Sequence, residues 1–151
     1  MLRIILNLFV VIFCVTPLTL FAANNNSGER ATKSDFSCQK SQQDLLAKRF
    51  MSADKSKELR TVRQLRPVLD PVYAKVQSIF KQHKKDKSPN GEYVMFEMGI
   101  EPNGKVSSIC ALIDKVNDKE LTSDLANLLK TTKFTSGDFR FQILRYPASA
   151  K

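Results

Sequence analysis

The chain has 151 residues, room for one domain with extensions, and its 42% hydrophobic content can fill a core. With 24 Lys and Arg against 15 Asp and Glu it carries a net charge of +9, which favours anionic partners such as acidic proteins, cell-wall polymers or lipid headgroups. One histidine, no Cys-x-x-Cys or His-Cys metal spacing, no Gly-rich phosphate loop and no serine in a nucleophile motif leave little to build an enzyme, a cofactor site or a metal site from.

Residues 1–23, MLRIILNLFVVIFCVTPLTLFAA, hold one early basic residue, Arg3, no acid, and an apolar run that Pro17 interrupts before Ala22 and Ala23. This is the pattern of an export signal, although its length also suits a retained membrane anchor. Cys14 follows Phe13 rather than a small residue, so it is not read as a lipid-modified cysteine. If the segment is removed, 24 basic residues less Arg3 leave 23 against 15 acidic, a net of +8. Nucleic acid is then not an expected partner, because the chain would work outside the cytoplasm. Two cysteines remain, Cys38 and Cys110, in a compartment that oxidises a nearby pair. They are expected to bridge; the alternative is a buried strand thiol at Cys110 and a free Cys38.

Residues 24–60 read as a flexible leader with one short helix. Its first part, NNNSGERATKSD, is too polar to order itself. From Phe36 to Phe50 the apolar positions Leu45, Leu46 and Phe50 suit a helix, followed by a charged connector. From 61 to 147 the patterning strengthens into a domain. Leu65, Leu69, Val72, Val76, Ile79 and Phe80 recur at helical spacing. Because an interior proline removes a hydrogen bond, the main helix is expected to start at Asp70 as N-cap with Pro71 in its first turn. It should end in the lysine-rich stretch containing Lys81, Lys84, Lys85 and Lys87, before Pro89 and Gly91.

The period then changes to two. Val94, Phe96, Met98 and Ile100 alternate with Tyr93, Met95, Glu97 and Gly99, a strand with one face on a core. Pro102, Asn103 and Gly104 turn the chain, Asn and Gly both tolerating positive φ. KVSSICALI returns as a second strand whose two apolar faces suggest cover on both sides or a bulge. Asn117 and Glu120 have the spacing of a capping box for a helix carrying Leu121, Leu125, Leu128 and Leu129. After Gly137, a third strand alternates Phe139, Phe141 and Ile143 with Arg140, Gln142 and Leu144 until Pro147 stops it. The sum is an α+β fold: a small three-stranded antiparallel sheet with helices packed on one face.

The run from Gly91 to Phe134 resembles the C-terminal domain of TonB-type envelope proteins. Glu101, Pro102, Asn103, Gly104, Lys105 and Val106 match that family's turn, Leu121 and Leu125 its helix, and Phe134 the aromatic residue that closes it; the likeness spans about Val62 to Tyr146. The chain departs from the energy transducers of that family. His83 lies far from the apolar segment, and residues 24–60 contain no proline where a transducer carries a proline-rich arm. The resemblance implies a periplasmic, non-enzymatic protein-binding or scaffold module of an envelope assembly, such as a secretion-system subunit. Its partners would be envelope proteins, among them outer-membrane or secretion-complex subunits, or a second copy. The alternative is an energy transducer component with an uncleaved anchor that contacts outer-membrane receptors.

In TonB-like domains the last strand is the receiving edge, which implies Phe139 to Tyr146 here. Phe139, Phe141 and Ile143 are expected to point inward, with Arg140, Gln142, Leu144 and Tyr146 facing the partner. Lys81, Lys84, Lys85 and Lys87 form a basic patch for anionic surfaces. His83, set among them, reads as a solvated helix-end residue. Glu97 and Glu101 lack a second acid that the sequence can place beside either.

Overall fold

The computed structural model describes residues 36–85 and 91–150, so the expected export segment with Arg3 and Cys14, the polar stretch after it to Asp35, and Lys87 lie outside the described residues. Its elements run α1 (Lys40–Ser52), α2 (Val62–Gln82), β1 (Tyr93–Ile100), β2 (Val106–Asp114), α3 (Lys119–Thr131) and β3 (Gln142–Ser149). The sheet is antiparallel in the order β2-β1-β3, so the first strand in sequence is the central one. The α+β class with three strands follows from the alternation read in the sequence.

The prolines of α2 do not restart it. The helix runs unbroken through Pro67 and Pro71, and its N-cap is Thr61 rather than Asp70. The backbone N–H and hydroxyl of Thr61 both donate to Gln64 Oε1. The two prolines lie four apart on the exposed side, where water can serve the carbonyls left without N–H partners. The opposite stripe, Leu65, Val72, Val76 and Phe80, is buried. It meets Val94, Phe96, Met98 and Ile100 of β1 and Leu121, Leu125, Ala126 and Leu129 of α3 in the main core. Asp118, not Asn117, caps α3: its carboxylate accepts from Leu121 N–H, while Asn117 takes a positive φ of 58°. Asp114 at the end of β2 steadies that entry by accepting from the N–H groups of Val116 and Asn117 and from the Thr122 hydroxyl.

The second face of the sheet is covered as well, which corrects the expectation of helices on one face. Glu97 stands opposite Cys110 and Arg145, and Gly99 opposite Ser108 and Ile143, so these residues share a face. A Cβ on Gly99 would come within 2.9 Å of Leu46 in α1, 2.8 Å of Ser108 and 2.7 Å of Phe141. Helix α1 therefore lies against this face, with Leu46 buried and Leu45 turned outward. Strand β2 serves both faces through two register shifts opposite Met95/Phe96 and Gly99/Ile100, the bulges that its doubly apolar sequence suggested.

Cys38 and Cys110 lie at disulfide distance, with Cα atoms 4.8 Å apart. The segment before α1 also pairs with the outer side of β2: Ala111 N–H donates to Phe36 O, and Cys38 N–H donates to Ala111 O. Much of the expected leader thus packs on the sheet. The bridge spans a separation of 72 residues. Reducing it, or replacing Cys38→Ser, is expected to lower the unfolding free energy by roughly 4 kcal/mol, read as a displaced urea midpoint between oxidised and reduced protein.

Candidate functional site

Two structural details define the margin of β3. Pro147 lies inside the strand, opposite Met95, rather than ending it. Having no N–H, it fits an antiparallel ladder only where the backbone nitrogen points away from the neighbour. The β1–β3 register is unbroken, so Ile143, Arg145 and Ser149 share that outward orientation. Ser149 confirms the parity, because its carbonyl accepts from Gln77 Nε2 of α2 at 2.8 Å. The N–H and C=O groups of Ile143 and Arg145 face outward, and no described segment pairs with them.

The side chains expected to face a partner are placed differently. Arg140 precedes the strand and donates its backbone N–H to Glu58 O. Gln142 is buried, its amide oxygen accepting from Arg60 N–H and its NH2 donating to Arg60 O. Tyr146 is buried on the core face, and Leu144 packs partly buried beside the same core. Burial and the nearby Tyr73 push the Tyr146 phenol above its ordinary pKa. Phe141 is buried as expected, but toward α1. The alternation itself holds; a single inward direction for it suits only a sheet covered on one side. With both faces covered, odd and even positions each have an interior.

The hairpin is fastened at its tip. Gly104 N–H donates to Glu101 O and Glu101 N–H to Lys105 O, with Asn103 Oδ1 accepting from Lys105 N–H. Only Gly104 takes a positive φ, 79°; Asn103 does not, so the turn carries one left-handed residue rather than two. Gly104 O accepts from Phe134 N–H, and Pro102 O from Gly137 N–H, which docks the turn on the exit of α3.

Arg60, which falls in the expected connector, holds this corner together. It is 3% exposed. Its Nε donates to Thr135 O at 2.8 Å, and its Nη2 to Glu101 O at 2.7 Å and Pro102 O at 2.9 Å. The guanidinium lies 4.6 Å from the centre of the Phe139 ring. Burial pulls its pKa below the ordinary arginine value. The planar fork and fixed charge of arginine suit three carbonyls at once. No local motif marks such a residue, since its acceptors lie 41 to 75 positions away.

Of the basic patch, Lys81 and Lys84 are exposed at the end of α2, and Lys85 pairs with Glu92 at 3.8 Å. His83 is not solvated: its side chain is 16% exposed, with Nε2 3.0 Å from Asp124 and Nδ1 3.8 Å from Asp118. Glu97 is paired with Arg145 at 2.9 Å and Glu101 with Arg49 at 2.7 Å. Among the described residues no group of three His, Cys, Asp or Glu is arranged to hold a metal ion, and no helix is long and apolar enough to cross a membrane.

Comparison of the chain with protein-family models, with curated proteins and with solved structures returns no match.

Two substitutions test the corner. Arg60→Leu would take a charged donor from three carbonyls, leaving Thr135 O without its partner while Glu101 O and Pro102 O keep the N–H groups of Gly104 and Gly137, and would unstack Phe139. It is expected to cost about 2–3 kcal/mol in chemical denaturation. Arg60→Lys should recover only part of this. At Gly104 a Cβ would run into the Phe134 carbonyl in addition to the strain of positive φ. Gly104→Ala is therefore expected to lose about 2 kcal/mol or more on the same measurement.

Proposed function

We propose that this chain is an exported, non-enzymatic scaffold module of a bacterial envelope assembly, and that it holds a neighbouring protein by accepting an extended segment along the outer margin of β3. The observation that carries this reading is the asymmetry of the two sheet margins. On β2, the outward N–H and C=O of Ala111 are taken by residues 36–38. On β3, the corresponding groups of Ile143 and Arg145 have no partner among the described residues. An incoming strand would complete them with main-chain hydrogen bonds.

The element order strand, turn, strand, helix, strand and the match of Glu101 to Val106 support a place beside the TonB C-terminal domains. The cysteine pair is in keeping with an oxidising compartment such as the periplasm. The absence of proline between residues 24 and 60 favours a subunit of an envelope-spanning complex, such as a secretion system, over a transducer that must reach across the periplasm.

Ile143→Pro removes one outward N–H and leaves the hydrogen bonds to β1 in place. Recovery of partners from envelope extracts is expected to fall about tenfold or more for this variant, the loss of about 1.4 kcal/mol or more, while its circular dichroism stays that of the parent. Undiminished recovery by a folded Ile143→Pro protein would reject strand addition.

A further inference from the structure

A cleft of about 440 Å³ opens where α1, the hairpin tip and the approach to β3 meet. It is separate from the outward groups of Ile143 and Arg145 and independent of strand addition there. Pro102, Phe139 and Phe141 give it apolar walls, and Arg49, Lys57 and Arg140 bring positive charge to it. Its volume is in the range of sites for small molecules and single side chains.

The ions around the cleft are engaged, with one exception. Arg49 is bound to Glu101 and lies over the Phe141 ring at 4.4 Å. Lys57 is bound to Asp138, which raises its pKa. Asp54 accepts from the N–H and hydroxyl of Ser56, which lower its pKa. That leaves Arg140. Its guanidinium lies 5.3 Å from the centre of the Phe50 ring, and its buried Nε has no acceptor among the described residues. A second unpaired donor is Nη1 of the buried Arg60, whose guanidinium lies over the Phe139 ring and whose other nitrogens are held by carbonyls of Glu101, Pro102 and Thr135. A guanidinium that stacks on an aromatic ring keeps its edge available for a planar anion, and burial of that edge makes an empty donor costly.

We infer that this cleft is a binding site for an aromatic or apolar carboxylate presented by a partner polypeptide, with the carboxylate on Arg140 and the apolar group between Phe139 and Phe141. Charge complementarity selects the ligand. The lining carries three cations, Arg49, Lys57 and Arg140, against two carboxylates, Asp54 and Glu101, and Arg140 is the cation that no carboxylate of the described residues pairs with, while the walls admit a ring. A carboxylate of this kind is offered either by a C-terminal residue or by an acidic side chain next to an aromatic one.

The test uses the full chain and three probes: N-acetyl-L-phenylalanine, the amidated dipeptide N-acetyl-Phe-Glu-NH2, and N-acetyl-L-phenylalaninamide as the uncharged control. Binding is followed by NMR on the arginine Nε–H and phenylalanine ring signals. At least one carboxylate probe is expected to shift the Arg140, Phe139 and Phe141 signals with an affinity about tenfold or more above that of the amide, as a charge-assisted contact should give. Preference for the first acid marks a chain terminus as the source, and preference for the dipeptide marks an internal acidic residue. Arg140→Gln should reduce the acids to the affinity of the amide, and Arg140→Lys should restore only part of the difference. Lys75→Gln, on the exposed side of α2, should change nothing. Equal binding of acid and amide, binding by none of the probes, or acid binding that survives Arg140→Gln would each overturn the inference. Should Arg140→Gln fail to fold, the comparison of acid with amide on the unaltered chain decides alone.

Discussion

Strand β1 lies between β2 and β3 and between two layers of helix, and this enclosure on four sides constrains the rest of the molecule. Val94, Phe96, Met98 and Ile100 are fully buried on one face, and Glu97 and Gly99 are buried on the other. The first face is covered by α2 and α3 at apolar positions. The second is covered by α1 at close range, and only the missing side chain of Gly99 allows Leu46, Phe141 and Ser108 to meet there. A buried carboxylate in the same row is tolerated because Arg145, directly across the ladder, reaches over to pair with it. The two remaining strands of the sheet are then its edges, and the fate of those edges becomes the functional question.

The two edges have been treated differently. The β2 margin is occupied at Ala111 by the segment that leads into α1, which is hydrogen-bonded there and pinned by Cys38 to Cys110. The β3 margin has Pro147 and the Gln77 contact at one end, and both limit how far an added strand could extend. Before them lie Ile143 and Arg145, a stretch long enough for a few main-chain hydrogen bonds and too short to invite indiscriminate sheet growth.

At the far end of the sheet the carbonyls of Glu101, Pro102 and Thr135 converge where the hairpin and the exit of α3 approach the start of β3. A single guanidinium, Arg60, answers all three. Its cost is a buried cation, offset by charge-assisted hydrogen bonds and by the Phe139 ring. Because Arg60 also exchanges hydrogen bonds with Gln142, the same residue couples the connector after α1 to the first residue of β3. The arginine and phenylalanine side chains stacked around it, Arg49 on Phe141 and Arg140 on Phe50, shape the cleft beside the tip.

What the sequence determined by itself was everything carried by period and by local backbone chemistry. The alternation of Val94 to Ile100, the helical spacing of Leu65 to Phe80 and of Leu121 to Leu129, and the turn at Gly104 depend on neighbours a few residues away, so a one-dimensional pattern contains them. Helix capping was less legible, since Asn117 and Asp118 are both good candidates and only the conformation at Asn117 separates them. The apolar stripe of α2 already left Pro67 and Pro71 on its other side, but the rule that an interior proline breaks a helix was given more weight than that placement. Tertiary structure alone decided that α1 covers the second face, and with it which residues of β3 point inward and which backbone groups remain open. It also decided that His83 lies between two aspartates and that Arg60 holds the hairpin tip, whereas the meeting of Cys38 with Cys110 was already expected from the cysteine count. Each of these is a meeting of residues distant along the chain, and the energy that fixes it comes from partners that no local pattern encodes.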